Sequence, residues 1–202
     1  MDNTNLTLIM MAGLPGAGKT TLSKELGNDL GWQVINKDEY KEALMKRGLG
    51  DDESSREAYE ESFRLVFSTL LDKRKSVILD SAALQPFIVD RAKEIVQYVE
   101  RAQLKVILLV ASRDLRDYRI RSRPPQITKI PFNPATEAEY YECFKHLPPR
   151  TKIINTIKTI EECKELAEDY LMSSITTEND KADMLVSIRA SIASEPFEMA
   201  MT

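Results

Sequence analysis

Short, almost unbroken apolar runs alternate along the chain with longer charged stretches whose apolar positions recur at helical spacing. Five such runs stand out: Leu6 to Met11, Gln33 to Asn36, Ser76 to Asp80, Lys105 to Ala111 and Lys152 to Asn155. A run such as "KVILLVA" has no in-and-out alternation, as expected of a strand covered on both faces. Strands that alternate with helices in this way build βαβ units and a parallel sheet. The intervening stretches predict helices over Thr20 to Leu30, Asp38 to Lys46, Glu53 to Lys73, Pro86 to Arg101, Leu115 to Ser122, Thr136 to Lys145 and Ile160 to Met172. Pro86 suits a first helical turn, where its missing N–H has no partner to lose. Four prolines from Pro124 to Pro134 predict an irregular connection, because proline cannot sit in sheet core. From Ser173 the string "SSITTEND" is polar, and Met184, Ile188 and Ile192 form only a thin stripe. Residues 1–172 are therefore read as one domain and 173–202 as a polar acidic tail, disordered or weakly helical.

At 202 residues and 43% apolar composition the chain can bury a real core. The net charge of -4 gives no general reason for a nucleic-acid partner, since phosphate backbones are held by Lys and Arg. The tail alone carries -3, however, so the body is close to neutral and a basic patch on it is permitted though not favoured. Cys143, Cys163 and a single histidine, His146, give no recognisable zinc spacing. The cysteines read as free thiols of a reducing cytosol. The apolar stretch Leu6 to Ala12 is too short to span a bilayer and runs into a glycine loop, which predicts neither export nor a membrane anchor.

That loop carries the strongest chemical signal. "GLPGAGKT", Gly13 to Thr20, matches G-x-x-x-x-G-K-[ST] between an apolar strand and an amphipathic helix, where a phosphate cradle must lie. Gly16 and Gly18 let the backbone turn and approach a phosphate, while amides and the helix dipole face the anion. The nucleotide-binding set is Gly13, Pro15, Gly16, Ala17, Gly18, Lys19, Thr20 and Thr21. Lys19 is expected at the β- and γ-phosphates of ATP, and Thr20 in the shell of Mg²⁺.

Further along, "SVILDS" places Asp80 at a strand end, where it suits Mg²⁺ organisation together with Thr20. A helix or turn cap is the competing role. No glutamate follows Asp80, so the water activator of hydrolysing ATPases is missing. "NKDE", Asn36 to Glu39, falls in the wrong place for the guanine-reading N-K-x-D, and no D-x-x-G follows Asp80, which argues against a GTPase. Asp38 closes the second strand and opens a helix, at the edge where open α/β sheets bind ligands. It can orient an attacking hydroxyl and take its proton late in phosphoryl transfer, although an ordinary N-cap would also place Asp there. "SRDLRDYRIRSRPP", Ser112 to Pro125, follows the fourth strand. Arg119 and Arg123 share a helix face four residues apart, as a lid that closes over a transferring phosphoryl group requires.

In this order "GLPGAGKTTL", "VINKDEYKEAL", "SVILDSAAL", "RIRSR" and "KIINTIKTIEE" resemble a group of small P-loop kinases over roughly Leu6 to Met172. The group includes zeta-toxin-like kinases, chloramphenicol phosphotransferase and the kinase domain of bacteriophage polynucleotide kinase. The resemblance implies that Asp38 is the general base and that Arg119 and Arg123 belong to the lid. It also implies a substrate-binding role for Lys41, three positions after the base, where the group usually has an arginine with its bidentate fork. Asn155 and Thr156 fit loosely the positions near the adenine, and Asp51 to Lys73 is expected to contribute to the acceptor wall.

The expected fold is a doubly wound α/β P-loop NTPase domain, its five-stranded parallel sheet ordered 2-3-1-4-5 with helices on both faces and an Arg-rich helical lid. The expected activity is ATP- and Mg²⁺-dependent phosphorylation of a hydroxyl on a small molecule by a cytoplasmic protein. The catalytic residues would be Asp38, Lys19, Arg119 and Arg123, with Thr20 and Asp80 at the metal and Asp38 and Lys41 at the acceptor. Two alternatives stand beside it: a polynucleotide 5′-hydroxyl kinase, and an ATP-binding regulatory or toxin-like module that transfers nothing.

Overall fold

The computed structural model describes residues 5–123 and 137–173. The five apolar runs form strands β1 (Leu6–Ala12), β2 (Gln33–Asn36), β3 (Val77–Asp80), β4 (Ala102–Val110) and β5 (Lys152–Asn155). Among the described residues seven helices lie between and after them: α1 (Lys19–Leu30), α2 (Lys37–Lys46), α3 (Asp51–Leu71), α4 (Pro86–Tyr98), α5 (Arg113–Arg121), α6 (Glu137–Phe144) and α7 (Ile160–Met172). The sheet order is β2-β3-β1-β4-β5 and every neighbouring pair is parallel, as the alternation of runs predicts. The proline-rich stretch 124–134 and the tail 174–202 lie outside the described residues.

Why the runs are continuous is plain from β1, every residue of which is buried. Successive side chains point to opposite faces of a sheet, and here both faces are covered. Leu6, Leu8, Met10 and Ala12 pack with Phe63, Val66 and Leu70 of α3 and Ile88, Val89 and Ala92 of α4. Ile9 and Met11 pack with Leu22 and Leu26 of α1 and Cys163 and Ala167 of α7. Each fully buried side chain of this kind stabilises the fold by about 1.5–3 kcal/mol relative to exposure.

Boundaries differ from expectation where tertiary partners intervene. β4 begins at Ala102, three residues before the predicted start, because Leu6 pairs with Ala102 and the full length of β1 recruits it. This puts Lys105 inside a strand. Its ammonium is accommodated by donating to the carbonyls of Tyr170 and Ser173, each at 2.8 Å, so it caps the C-terminal end of α7. α4 stops at Tyr98 instead of Arg101: Val99 is already extended and Arg101 turns with φ +63°. Pro86 sits in the first turn of α4 as expected.

α1 runs close under β2, and Gly27 makes the approach feasible. A Cβ there would lie 2.5 Å from Val34 Cγ2 and 3.1 Å from the Trp32 carbonyl oxygen. Gly27→Ala should therefore destabilise by about 1–3 kcal/mol through overpacking, against the gain of about 1 kcal/mol that alanine brings to a helix interior. In urea the unfolding midpoint is expected to fall with an unchanged slope; a midpoint that rises would mean helix propensity outweighs the contact.

Candidate functional site

β1 ends beneath a loop whose backbone is left-handed at Gly13, Gly16 and Gly18, with φ of +142°, +82° and +94°. The loop is pressed against α5: a Cβ on Gly16 would stand 2.6 Å from the carbonyl oxygen of Arg116. Gly18 is the N-cap of α1 and supplies no side-chain acceptor, so the first-turn amides keep their capacity for an anion. Lys19 folds back over the loop, its Nζ donating to the carbonyls of Gly13 at 2.9 Å and Leu14 at 3.2 Å. Burial pulls its pKa below the ordinary lysine value, against the opposing pull of the Asp80 and Asp38 carboxylates. A desolvated cation short of counter-charge is a receptive partner for phosphate oxygens.

Asp80, at the end of β3, is 3% exposed and its Oδ2 is buried without a hydrogen-bond partner. Burial raises its pKa, and the Thr20 hydroxyl and the Lys19 charge only partly offset this. An orphaned carboxylate oxygen beside a threonine hydroxyl is a donor set that fits Mg²⁺, which takes one or two protein oxygens and completes its octahedron with phosphates and water. Among the described residues no cluster of three or more His, Cys, Asp or Glu side chains could hold a metal by itself.

Across from the loop, α2 presents Asp38. β2 ends at Asn36 as its apolar run predicts, but one expectation is corrected here: Asp38 neither closes the strand nor opens the helix, which is capped by Asn36, whose Oδ1 accepts from the Asp38 N–H at 3.0 Å. Asp38 is the second helical residue, so the capping role belongs to its neighbour and the Asp38 carboxylate is not used for it. That side chain is 67% exposed and forms an ion pair with Lys37. Lys41 is 8% exposed and its Nζ lies 2.9 Å from Asp51 Oδ1 at the start of α3, a pairing that the spacing of the sequence does not reveal.

Two cavities flank the loop. The larger, about 520 Å³, brings Pro15, Gly16, Lys19 and Thr20 together with Asp38, Lys41 and Arg123. The smaller, about 360 Å³, is lined by Leu22, Tyr118, Arg119, Thr156, Ile160 and Cys163. Gly18, Thr21 and Arg123 border both. Gly13 and Ala17 line neither; both are buried, and their carbonyls accept from Lys19 and from the Thr156 hydroxyl.

Arg119 and Arg123, expected together in a lid, part company. Arg119 donates from Nη1 to Thr156 Oγ1 at 2.8 Å and from Nη2 to the Thr156 carbonyl at 2.6 Å, which ties α5 to the end of β5. Arg123 stands where the cavities meet, close enough for its charge to depress the Lys19 pKa further. Sequence reasoning missed Lys37, Ser55, Tyr59 and Gln85, all of which line the larger cavity. The available signal was the spacing of Ser55 and Tyr59, four apart on one helical face inside the segment expected to form the acceptor wall.

A phosphate-cradling loop at the switch between β1 and its neighbours, with acidic residues at the ends of adjacent strands, defines a P-loop nucleotide-binding α/β protein. Residues 8–137, more than half of the chain, match the family described as AAA domain (AAA_33), and the chain belongs to that family. No curated protein matches it in sequence. In structure it is similar to a sugar kinase from Janibacter sp. HTCC2649, at 18% identity over 90% of this chain and 98% of that one, with a TM-score of 0.60. It is also similar to a gluconokinase from Sinorhizobium meliloti 1021, at 20% identity over 82% and 91%, TM-score 0.57. A third similar structure is the Mycobacterium tuberculosis APS kinase CysC in complex with AMPPNP and APS, at 15% identity over 84% and 99%, TM-score 0.56. The resemblance noted from the motifs is carried by these likenesses at the level of the P-loop kinase fold.

Because the Asp80 carboxyl has a raised pKa, its ionised form is disfavoured by folding, and the ligand-free protein loses stability as pH rises through that range. Asp80→Asn removes the charge at constant shape. At neutral pH without ligand its melting temperature should equal or exceed that of the parent, while the increase produced by Mg²⁺ with an ATP analogue should shrink by several degrees. A lower melting temperature with an undiminished Mg²⁺-dependent increase would contradict this reading of Asp80.

Proposed function

We propose that the protein is a kinase that transfers the γ-phosphate of ATP to a hydroxyl group of a small-molecule acceptor. The observation that carries this reading is that Asp38 faces the phosphate loop across a single cavity of about 520 Å³, with Lys19, Thr20 and Arg123 on its walls. A second cavity adjoins it at Gly18, Thr21 and Arg123, and its mix of Leu22, Tyr118, Ile160 and Thr156 suits a nucleoside. The similar structures include kinases named for a sugar and for gluconate, and one bound to AMPPNP and APS.

In the proposed reaction the loop amides and Lys19 hold the β- and γ-phosphates and oppose the charge that spreads over the transferring group. Arg123 adds its charge from the junction of the cavities, while Arg119 keeps Thr156 and the loop in register. A bound Mg²⁺, held by Thr20 and Asp80, would neutralise phosphate charge. The acceptor oxygen bonds to the γ-phosphorus, the bond from that phosphorus to the β,γ-bridging oxygen breaks, and ADP leaves. Asp38 orients the acceptor hydroxyl and receives its proton. Lys41, already paired with Asp51, shapes the acceptor wall and joins α2 to α3. Among the described residues no helix is long and apolar enough to cross a membrane, and Cys143 and Cys163 are free thiols, which suits a reducing cytoplasm.

The test is a panel of alcohols, sugars, nucleosides and oligonucleotides incubated with γ-labelled ATP, read by label transferred. Asp38→Asn should slow transfer to the responding acceptor by about 10²–10⁴-fold, with ATP affinity changed by less than about twofold, as expected for a group that acts only in the transition state. Hydrolysis with no labelled product across the panel would favour an ATP-driven switch. Transfer confined to oligonucleotides, falling steeply with salt, would point to a polynucleotide kinase.

A further inference from the structure

Lys37 opens α2 with a side chain only 9% exposed, an uncommon position for an ammonium group. Two partners account for it. Its Nζ is ion-paired with Oδ1 of Asp38 and lies 5.2 Å from the centroid of the Tyr59 ring. Tyr59 is fixed in turn by Phe63, stacked at 6.2 Å, and by the edge contact of Phe87 at 5.7 Å. A connected path thus runs from an aromatic cluster on α3 and α4, through one ammonium, to one oxygen of a carboxylate that is otherwise 67% exposed.

The two ends of this pair differ in freedom. Asp38, being largely in water, could rotate at little cost, and an ion pair between exposed groups would contribute only about 0–1 kcal/mol. Lys37 cannot turn away, because a desolvated ammonium left without its counter-ion is penalised by several kcal/mol, and the face of Tyr59 adds a further attraction. The lysine end is therefore the anchor. Its engagement with Asp38 and Tyr59 also leaves it unsuited to bind an anionic acceptor, a role for which Arg123 is better placed.

From this geometry we infer that Lys37 is a positioning residue for phosphoryl transfer: backed by Tyr59, it holds Oδ1 of Asp38 so that the second carboxylate oxygen is presented to the acceptor hydroxyl. Lys37 itself exchanges no proton. The inference rests on the reading of Asp38 as the base.

Lys37→Met keeps an unbranched apolar stem over Tyr59 and removes only the charge. Glycerol at high concentration serves as a minimal hydroxyl acceptor, with water as acceptor in the same comparison if glycerol takes no label. The expected result is a fall of about 10- to 100-fold in kcat, the scale of a misplaced catalytic group, with KM for ATP within about twofold and no fall in melting temperature. Lys37→Arg should recover most of the rate, and Lys37→Met should cause no further loss in an Asp38→Asn background. Three-bond carbon couplings of the Asp38 side chain, which need no acceptor, should report one rotamer in the parent and in Lys37→Arg but an average in Lys37→Met. An unchanged rate, an equal loss in the Asp38→Asn background, or a lowered melting temperature with raised KM for ATP would overturn the positioning role, as would an Asp38 side chain already averaged in the parent. If Asp38→Asn alone leaves the rate intact, the base assignment falls, and the couplings still decide what Lys37 does.

Discussion

The left-handed turn that carries the chain from β1 into α1 is the constraint on which the site depends. A buried parallel strand ends with its backbone aimed at the C-terminal edge of the sheet, and the next helix must start there with its amides facing the same way. Three positive-φ glycines accomplish this, at 13, 16 and 18. Once the turn exists, the ends of β2 and β3 on one side and β5 on the other deliver Asp38, Asp80 and Thr156 to the same edge. The sheet order places them around the turn without long loops.

Charge in this edge is organised by withdrawal from water. Lys19 and Asp80 are each shifted away from their ionised forms by burial, yet each limits the shift of the other. Lys37 and Lys41 are buried and are matched to Asp38 and Asp51. The cavity wall is thus built from cations whose compensation is local, whereas the loop and Asp80 retain unmet capacity. An anion with an accompanying divalent ion would satisfy both deficits together.

Much of this was legible in the chain, for reasons specific to each element. The unbroken run in β1 and the glycine motif after it are local patterns, and they locate the sheet centre and the loop. Asp38 was visible because it follows β2, but the cap that it could have supplied lies two residues earlier, since Asn36 is an equally good cap and only the hydrogen bond distinguishes them. β4 was read three residues short because Lys105 looks like a boundary until the end of α7 is seen to accept its hydrogen bonds. The seat of Lys37 on Tyr59 and the Lys41–Asp51 pair depend on how α3 lies against α2, a tertiary fact that no spacing within either helix encodes. The divergence of Arg119 and Arg123 has the same origin, because Thr156 meets Arg119 across 37 residues of chain.

The contact between Gly16 and the Arg116 backbone has an implication for descent. A side chain at that position is excluded by the helix behind the loop, whether or not a ligand is bound. A duplicated copy that had lost its substrate would therefore keep this glycine under selection for folding alone, while Lys19, tied only to two loop carbonyls, and Thr20 would be freer to drift. In comparing paralogues, those two positions and not the glycine would report whether the ancestral chemistry persists.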